Sequence, residues 1–190
     1  MGIGTRPLYL NLPNTLSILR LVSAPVLVAL LLSPGERLSL ITAVFFAVVC
    51  ATDWLDGYLA RRMGIVTPLG KFLDPLADKA IILSTLIMLI PLGRAPAWMV
   101  AMIAGREIAV TGLRAVAANM GAVIAAGRLG KYKTVLQMTS VTGLLIHYRY
   151  MGVDFHAAGT VLFIAAFILT VWSGVDYFVR FFKMHELRDR

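Results

Sequence analysis

The sequence predicts an all-α, polytopic membrane protein in which six transmembrane helices form a single integral-membrane domain over residues 1–190. Two features of composition predict this fold. Hydrophobic residues make up 59% of the chain, and its mean hydropathy is +0.81, both above the range of soluble domains. In addition, apolar runs near the roughly 20 residues that cross a bilayer recur between short polar breaks.

Polar breaks rich in proline, glycine and charge set the ends of each predicted helix. The first apolar run enters through "NLPN" and closes at "SPGER", the second ends at "RR", and the third follows "MGIVTPLGK" and closes at "PLGRAP". "GRLGKYKT" separates the fourth run from the fifth, and the charged tail "KMHELRDR", expected to fray into water, ends the sixth. The predicted helices cover residues 15–32, 38–60, 72–90, 97–118, 135–148 and 157–182.

Basic residues near the helix ends predict the orientation, because cytoplasmic loops hold the excess of Lys and Arg. Only Arg37, Arg94 and Arg149 fall on one side of the predicted membrane. The other side holds Arg6, Arg61, Arg62, Lys71, Arg128, Lys131, Lys133, Arg180, Lys183, Arg188 and Arg190. The sequence therefore predicts a multi-pass protein with both termini in the cytoplasm.

The net charge of +8 does not indicate nucleic-acid binding, because the basic residues are scattered between apolar segments and form no stripe. Anionic membrane lipids and phosphorylated substrates are the predicted partners. The lone Cys50 excludes a cysteine metal cluster.

Four aspartates interrupt the apolar helices within one stretch, "DWLDGYLARRMGIVTPLGKFLDPLAD". Asp53 and Asp56 are three residues apart, and Asp74 and Asp78 are four apart, so each pair shares a helical face. An ionised Asp inside a membrane helix costs roughly 2.5–3.5 kcal/mol, and clustered carboxylates repel one another. A cationic partner must therefore offset their charge.

Two kinds of cation could balance these aspartates. The basic residues Arg61, Arg62, Lys71 and Lys79 are near in sequence, but salt bridges alone would leave the paired spacing accidental. Divalent cations explain the spacing better, because carboxylate sites without His or Cys favour Mg²⁺ or Mn²⁺. Two facing carboxylate pairs suit two ions roughly 3.5–4 Å apart, which together clamp the oxygens of a transferred phosphoryl group.

The residues between the aspartates favour the same chemistry. Gly57 and Ala60 leave the helix face bare beside the acids, so that a flat group could approach closely, and Arg61 offers a fork suited to phosphate oxygens. Plain helix packing explains Gly57 and Ala60 as well, since small residues line membrane helix contacts.

The pattern D-x-x-D-G-x-x-A-R followed by G-x-x-x-D-x-x-x-D, from Asp53 to Asp78, resembles the signature of the CDP-alcohol phosphotransferases at every fixed position. The resemblance implies a six-helix membrane enzyme, with its active site on the cytoplasmic side, that transfers a substituted phosphate from a CDP-linked donor to an alcohol and releases CMP. It further implies that Asp53 and Asp74 bridge two Mg²⁺ or Mn²⁺ ions and that Asp56 holds the first. Asp78 would touch the second ion and act as the general base.

Three further stretches, "NLPNTLSILRL", "GREIAVTGLR" and "GKYKT", resemble bacterial phosphatidylglycerophosphate synthases, a branch of that family. This resemblance implies CDP-diacylglycerol as the donor, glycerol 3-phosphate as the acceptor and the bacterial inner membrane as the location. A homodimer is also expected by resemblance, although no interface pattern in the sequence specifies one. The residues matched to donor binding are Asn14, Gly57, Ala60, Arg61, Thr67 and Gly70. Asn14 could instead cap the first helix.

Charge in and around the fourth helix favours a small dianionic acceptor. Arg106 and Arg114 lie two turns apart among apolar residues, where a cation needs an anionic partner. Lys131 and Lys133 are expected just outside the membrane, at the cytoplasmic mouth. These four residues are the predicted glycerol 3-phosphate site, unless Glu107 neutralises one of the arginines instead.

The alternatives keep the chemistry and change the acceptor, to phosphatidylglycerol (a cardiolipin synthase), inositol phosphate or serine. A small cation transporter is a rival of another class, but its acids should spread through the whole membrane depth, and here they cluster in the cytoplasmic half. His147, His156 and His185 are expected to lie far apart, with no metal-binding or catalytic role.

Overall fold

The computed structural model of the chain describes residues 12–63, 68–121 and 128–188, with side chains over 15–52, 74–121 and 129–184. Within these residues the chain forms six helices and one β-hairpin, which confirms the predicted all-α class and helix number. The helices are α1 Leu12–Leu31, α2 Glu36–Met63, α3 Pro68–Leu89, α4 Ala97–Asn119, α5 Arg128–Ile146 and α6 Phe155–Arg188. The hairpin strands are β1 Arg149–Tyr150 and β2 Val153–Asp154.

Helices α5 and α6 extend furthest beyond the predicted ranges, because an apolar run does not record the polar turns into which a helix continues. Helix α5 begins at Arg128, about two turns before the predicted residue 135. Lys131 and Lys133 were expected just before the fifth helix, at its cytoplasmic end. They lie instead in the first two turns of α5. Helix α6 continues to Arg188, so most of the tail expected to fray is helical. Lys, Arg, Leu and Glu are good helix formers, and no proline stops either extension.

The surfaces of the helices are apolar to a degree that suits lipid. Large hydrophobic side chains are exposed on each of the six described helices, for example Leu19, Val44, Ile87, Ile108, Val135 and Trp172. Among the described residues, one stretch, Phe155–Met184, has the length and hydropathy to cross a bilayer, and Thr15–Leu31 is a shorter apolar helix. Crossing of the membrane stays a prediction for all six helices.

The helices divide into two compact units, Met1–Pro91 and Leu92–Arg190. In the first, α1 packs against α3 and α2, and in the second, α6 packs against α5 and α4. Fully buried side chains include Leu27, Phe46 and Leu86 in the first unit and Ile103, Leu144 and Phe163 in the second.

Helices α5 and α6 meet through two glycines. A Cβ on Gly159 would lie 2.7 Å from the backbone nitrogen of Leu144, and a Cβ on Gly143 would lie 2.9 Å from the Cα of Gly159. These distances are too short for any side chain, so the two backbones touch directly. Small residues at membrane helix contacts allow this approach.

The hairpin between α5 and α6 was not predicted. Arg149 pairs with Asp154 and Tyr150 with Val153, across a two-residue turn in which Met151 and Gly152 have φ of 52° and 81°, as a tight hairpin requires. The Asp154 carboxylate accepts a hydrogen bond from the Ala157 N–H at 2.9 Å and so caps α6.

This hairpin brings His147 and His156 together, which makes the expectation that the two are far apart wrong. Their Nδ1 atoms are 3.1 Å apart. Sequence separation misled here, because the tight turn folds the end of α5 back onto the start of α6. Burial above all, and then the positive charge of Arg94, lower the pKa of His147.

Candidate active site

Two of the four predicted site aspartates, Asp74 and Asp78, have described side chains, and both contact helix α1. The hydroxyl of Ser17 donates a hydrogen bond to Asp74. The guanidinium of Arg20 donates to Asp78 over 3.0 Å between Nη1 and Oδ1. Ser17 and Arg20 are only 3% and 4% exposed, so these polar groups are buried where α1 packs on α3. Helix α1 therefore orients both carboxylates.

Arg20 is a partner of the predicted site residue Asp78 that the sequence analysis missed. The basic residues considered as partners of the aspartates were near in sequence, whereas Arg20 and Asp78 are separated by 58 positions. A signal was present, because Arg20 is the one charged residue in α1, LPNTLSILRLVSAPVLVALL. A buried charge inside an apolar helix requires a partner of opposite charge.

The other two aspartates, Asp53 and Asp56, lie in α2, where the described backbone is continuously helical from Glu36 to Met63. Positions three apart in a helix share a face, so the predicted pairing holds for the backbone. The side chains of both are outside the described residues.

The predicted donor-binding residues cannot be assessed from side-chain contacts. Gly57, Ala60 and Arg61 lie in α2, Gly70 in the first turn of α3 and Asn14 in the first turn of α1, all at positions whose side chains are not described. Thr67 lies outside the described residues altogether. The assignment of these six residues to the donor stays a prediction.

The donor set fits a hard divalent cation. Asp74 and Asp78 offer carboxylate oxygens, and the buried Ser17 hydroxyl donates to one of them and so orients it, as outer-sphere partners of metal ligands do. Among the side chains that the structure describes, no three of His, Cys, Asp or Glu come together at one point. Further ligands would have to come from residues whose side chains are not described, among which Asp53 and Asp56 are the predicted ones.

In the second unit, Glu107 lies between two of the predicted acceptor-binding cations. The Glu107 Oε1 atom accepts from Arg106 Nη1 at 2.9 Å and also from Lys133 Nζ. The second guanidinium nitrogen of Arg106 donates to Ser173 Oγ at 2.9 Å. The alternative in which Glu107 neutralises an arginine is thus the arrangement found, and it includes Lys133 as well.

The remaining two predicted acceptor residues are placed differently. The guanidinium carbon of Arg114 lies 5.9 Å from the ring centroid of Tyr177, within the range of a cation–π contact. Lys131 is exposed in the first turn of α5. The structure thus joins Arg106 and Lys133 through a shared carboxylate, and it gives Arg114 an aromatic neighbour on α6.

The second unit also holds buried polar atoms that have no hydrogen-bond partner. Within the described part of the chain these include Arg106 Nε, Gln137 Nε2 and Tyr177 Oη. Gln137 follows Lys133 by one turn of α5, and Tyr177 follows Ser173 by one turn of α6. Their signal in the sequence is a polar group inside an apolar helix. Buried polar groups are normally paired, so these three atoms could serve a polar ligand.

Helix α6 makes room for the Arg106 side chain at Gly174. A Cβ at Gly174 would lie 2.9 Å from Arg106 Cγ. The absence of a side chain at this position lets Arg106 reach across α6 to Ser173. The position of Arg106 therefore depends on three elements of its surroundings: Glu107, Ser173 and the bare surface at Gly174.

Comparison with known proteins finds similar chains that are named as phosphatidyltransferases and related synthases. A chain from Bacillus subtilis named CDP-diacylglycerol–glycerol-3-phosphate 3-phosphatidyltransferase is 44% identical over 181 residues, 88% of this chain and 93% of the relative. A Mycobacterium tuberculosis chain named probable phosphatidylglycerophosphate synthase is 41% identical over 94% of this chain and 85% of its own length. A cardiolipin synthase (CMP-forming) from Oryza sativa is 34% identical over 94% of this chain and 59% of its own length.

The family assignment rests on a match that covers most of the chain. Residues 10–172 match the CDP-alcohol phosphatidyltransferase family, and this range contains both the aspartate stretch and the cluster around Glu107. The family is membrane-associated and generally metal-dependent. The chain therefore belongs to the CDP-alcohol phosphatidyltransferase family.

Proposed function

We propose that this chain is a CDP-diacylglycerol–glycerol-3-phosphate 3-phosphatidyltransferase, which makes phosphatidylglycerophosphate and CMP in phospholipid biosynthesis. The observation that carries the proposal is the 44% identity to the Bacillus subtilis transferase of that name, over 93% of the relative's length. The cluster of Arg106, Lys133 and Glu107 supports it, because it offers a buried cationic surface to an anionic acceptor.

Asp53, Asp56, Asp74 and Asp78 would hold two Mg²⁺ or Mn²⁺ ions, which when bound supply positive charge to the oxygens of the donor diphosphate. Asp78 accepts the proton of the acceptor's primary hydroxyl, and that oxygen attacks the donor phosphorus attached to diacylglycerol in line with the departing CMP. Ser17 and Arg20 keep the two carboxylates of α3 in position for these roles.

The donor site would lie along the aspartate stretch. Arg61 provides a fork for phosphate oxygens, and the bare positions Gly57 and Ala60 admit the flat cytidine. Asn14, Thr67 and Gly70 complete the proposed CDP-diacylglycerol contacts.

The acceptor site would be built on Arg106, Arg114, Lys131 and Lys133. With Glu107 between them, Arg106 and Lys133 leave a net charge of +1, which attracts a phosphate dianion. Arg106 Nε, Gln137 Nε2 and Tyr177 Oη, buried without partners, offer hydrogen bonds to the phosphate and hydroxyl oxygens of a small polyol phosphate. Inositol phosphate is larger, and serine lacks a phosphate.

The protein would work in the bacterial inner membrane as a six-span, multi-pass enzyme with both termini in the cytoplasm. The excess of Lys and Arg at one set of helix ends supports this orientation. Anionic lipids of the cytoplasmic leaflet would contact those basic residues, and a homodimer is the proposed assembly.

The test is an acceptor assay with purified protein in detergent micelles. The protein is incubated with CDP-diacylglycerol, Mg²⁺ or Mn²⁺ and one of glycerol 3-phosphate, phosphatidylglycerol, inositol phosphate or serine, and CMP release is measured. Glycerol 3-phosphate should support turnover. A protein that turns over with another acceptor but not with this one would refute the acceptor assignment.

The proposed role of Asp78 as the general base is tested with Asp78→Asn. We expect this variant to lose turnover and to retain CDP-diacylglycerol binding. Asp176→Asn is the matched control, because Asp176 is a surface residue of α6 that pairs with Arg180 at 3.0 Å. If Asp78→Asn were as active as Asp176→Asn, Asp78 could not be the base.

One alternative function has specific support. The rice relative is named a cardiolipin synthase, which favours phosphatidylglycerol as a second candidate acceptor with the same chemistry. The acceptor assay separates the two directly, because phosphatidylglycerol carries no terminal phosphate to engage Arg106 and Lys133.

A further inference from the structure

The end of the second unit at which α5 and α6 meet carries a histidine pair that phosphatidyl transfer does not use. His147 Nδ1 and His156 Nδ1 are 3.1 Å apart, and the two ring centroids are 4.6 Å apart. Lys133 of the Glu107 cluster lies in α5, which ends at the residue before His147. The 14 positions from Lys133 to His147 correspond to roughly 20 Å at 1.5 Å per residue. The pair is therefore remote from the Glu107 cluster.

The backbone holds the two rings in this position. His147 follows the last residue of α5 with φ of 62° and donates its backbone N–H to the Gly143 carbonyl at 3.1 Å, as at a common type of helix C-terminus in which His is one of the enriched side chains. His156 stands in the first turn of α6, whose start is capped by Asp154. The hairpin turn through Met151 and Gly152 connects the two.

The separation of the nitrogens matches that of two ligands on one ion. Imidazole nitrogens bind Zn²⁺ at about 2.0–2.1 Å, so two nitrogens 3.1 Å apart subtend roughly 95–100° at the ion. That angle lies between the values for octahedral and tetrahedral coordination. Without an ion, the two Nδ1 atoms can share only one hydrogen bond. An ion would bond to both lone pairs.

One carboxylate and two guanidinium groups lie near the pair: Asp154, Arg94, and Arg149, which pairs with Asp154 at 3.4 Å. Asp154 and Arg94 both act electrostatically on His147. The Asp154 carboxylate attracts a cation, whereas the Arg94 guanidinium repels one and favours neutral imidazole. Arg94 is held in place by a hydrogen bond of 2.9 Å to the Leu145 carbonyl. Both histidine rings are partly exposed, so water can supply the remaining ligands.

We propose that His147 and His156 form a two-histidine binding site for a borderline divalent transition ion such as Zn²⁺, which ties the end of α5 to the start of α6. Imidazole is a ligand that suits such ions and that the carboxylate site lacks. The ion is expected to stabilise the α5–α6 hairpin and to take no part in phosphatidyl transfer.

The test is a Zn²⁺ titration of the full chain in detergent, purified without a polyhistidine tag and in excess Mg²⁺, which competes for the carboxylates. His147→Asn keeps a residue that tolerates the left-handed backbone, and His156→Gln keeps a polar side chain of similar reach. His185→Gln is the matched control. Melting temperatures without Zn²⁺ establish that each variant is folded. Because His147 follows α5 and His156 lies in α6, either variant alone can decide the question.

We expect one Zn²⁺ per chain in the wild type and in His185→Gln, with a Zn²⁺-dependent rise in melting temperature. Either substitution in the pair should weaken binding at least about tenfold, since even outer-sphere changes cost that much, and should abolish the rise. The proposal is overturned if the wild type binds no Zn²⁺ in excess Mg²⁺. It is equally overturned if the variants of the pair bind Zn²⁺ as tightly as His185→Gln does.

Discussion

Replacement of Arg20 by Met tests whether α1 holds the aspartate site in place. Arg20 is 4% exposed and its Nη1 lies 3.0 Å from Asp78 Oδ1, while the Asp78 side chain is 34% exposed. Met fills a comparable volume with a flexible apolar chain. The substitution therefore removes the charge and its hydrogen bond, with little loss of packing.

The expected cost follows from the unequal burial of the two partners. Removal of one partner from a fully buried ion pair costs about 3–5 kcal/mol. Asp78 is one-third exposed, so water can solvate part of its charge once Arg20 is gone. The loss should then approach that of a hydrogen bond to a charged group, about 1.5–3 kcal/mol in the free energy of unfolding. A carboxylate without its orienting partner should also lower kcat by about 10- to 100-fold.

Two measurements check this prediction: thermal unfolding in detergent, and turnover with saturating CDP-diacylglycerol and glycerol 3-phosphate. Arg37→Met is the matched control, because Arg37 is an exposed residue in the first turn of α2. Arg20→Lys should recover part of both losses, since it restores a charge but not the guanidinium geometry. If Arg20→Met matches Arg37→Met in melting temperature and kcat, the ion pair has no role and the reasoning fails.

Four other substitutions test separate contacts. Ser17→Ala should lower kcat by removing the hydroxyl that donates to a site carboxylate, and unchanged kcat would contradict this. Gly159→Ala should destabilise the chain by about 1–3 kcal/mol through a backbone clash. The control is Gly112→Ala, where the added Cβ would have no atom within 4 Å and should stabilise the helix by about 0.5–1 kcal/mol. Equal melting temperatures of the two variants would argue against the close contact of α5 and α6. Glu107→Gln should raise the KM for glycerol 3-phosphate and lower the melting temperature, and a lower KM would show that Glu107 competes with the acceptor. The hydrogen bond from the Ala157 N–H above all lowers the pKa of Asp154 from 3.8. The stabilisation of the fold by the Asp154 carboxylate should therefore be complete above pH 3.8 and be lost as the pH falls through the lowered pKa. Asp154→Asn should melt below the wild type near neutrality and at the same temperature as the wild type in strong acid.

Local sequence patterns predicted the features that depend on neighbours along the chain. The apolar runs located all six helices, and the spacing of Asp74 and Asp78 placed both on one face of the third helix. Each of these inferences needs only the period of a helix. The start of α5 was mispredicted because hydropathy records contact with lipid, whereas helix formation continues into water wherever Lys, Arg and Leu follow one another.

Pairings between helices were the part that the sequence could not specify. Arg20 and Asp78 are distant in the chain, and the pattern could say that each needs a partner without saying which one. His147 and His156 were misjudged for a similar reason, because a two-residue turn brings together positions that an extended loop would keep apart. The turn itself carried a weak signal, since only one of its two left-handed residues, Gly152, is of a type that favours that conformation.

The sequence offered two interpretations of the cations near Glu107, as an acceptor site or as partners of the Glu107 carboxylate. The cluster of Arg106, Glu107 and Lys133 shows that the two are compatible. A carboxylate that neutralised Arg106 alone would leave Lys133 as an uncompensated charge, buried to 6% exposure, at a cost that membrane helices avoid. A cluster without any carboxylate would bury two adjacent cations whenever no acceptor is bound. One carboxylate shared by two cations lowers the free-energy cost of burying them when no acceptor is bound. It still leaves one net positive charge to attract a phosphate. In the proposed acceptor site, Glu107 would therefore be a positioning residue that holds both cations where an incoming dianion can reach them.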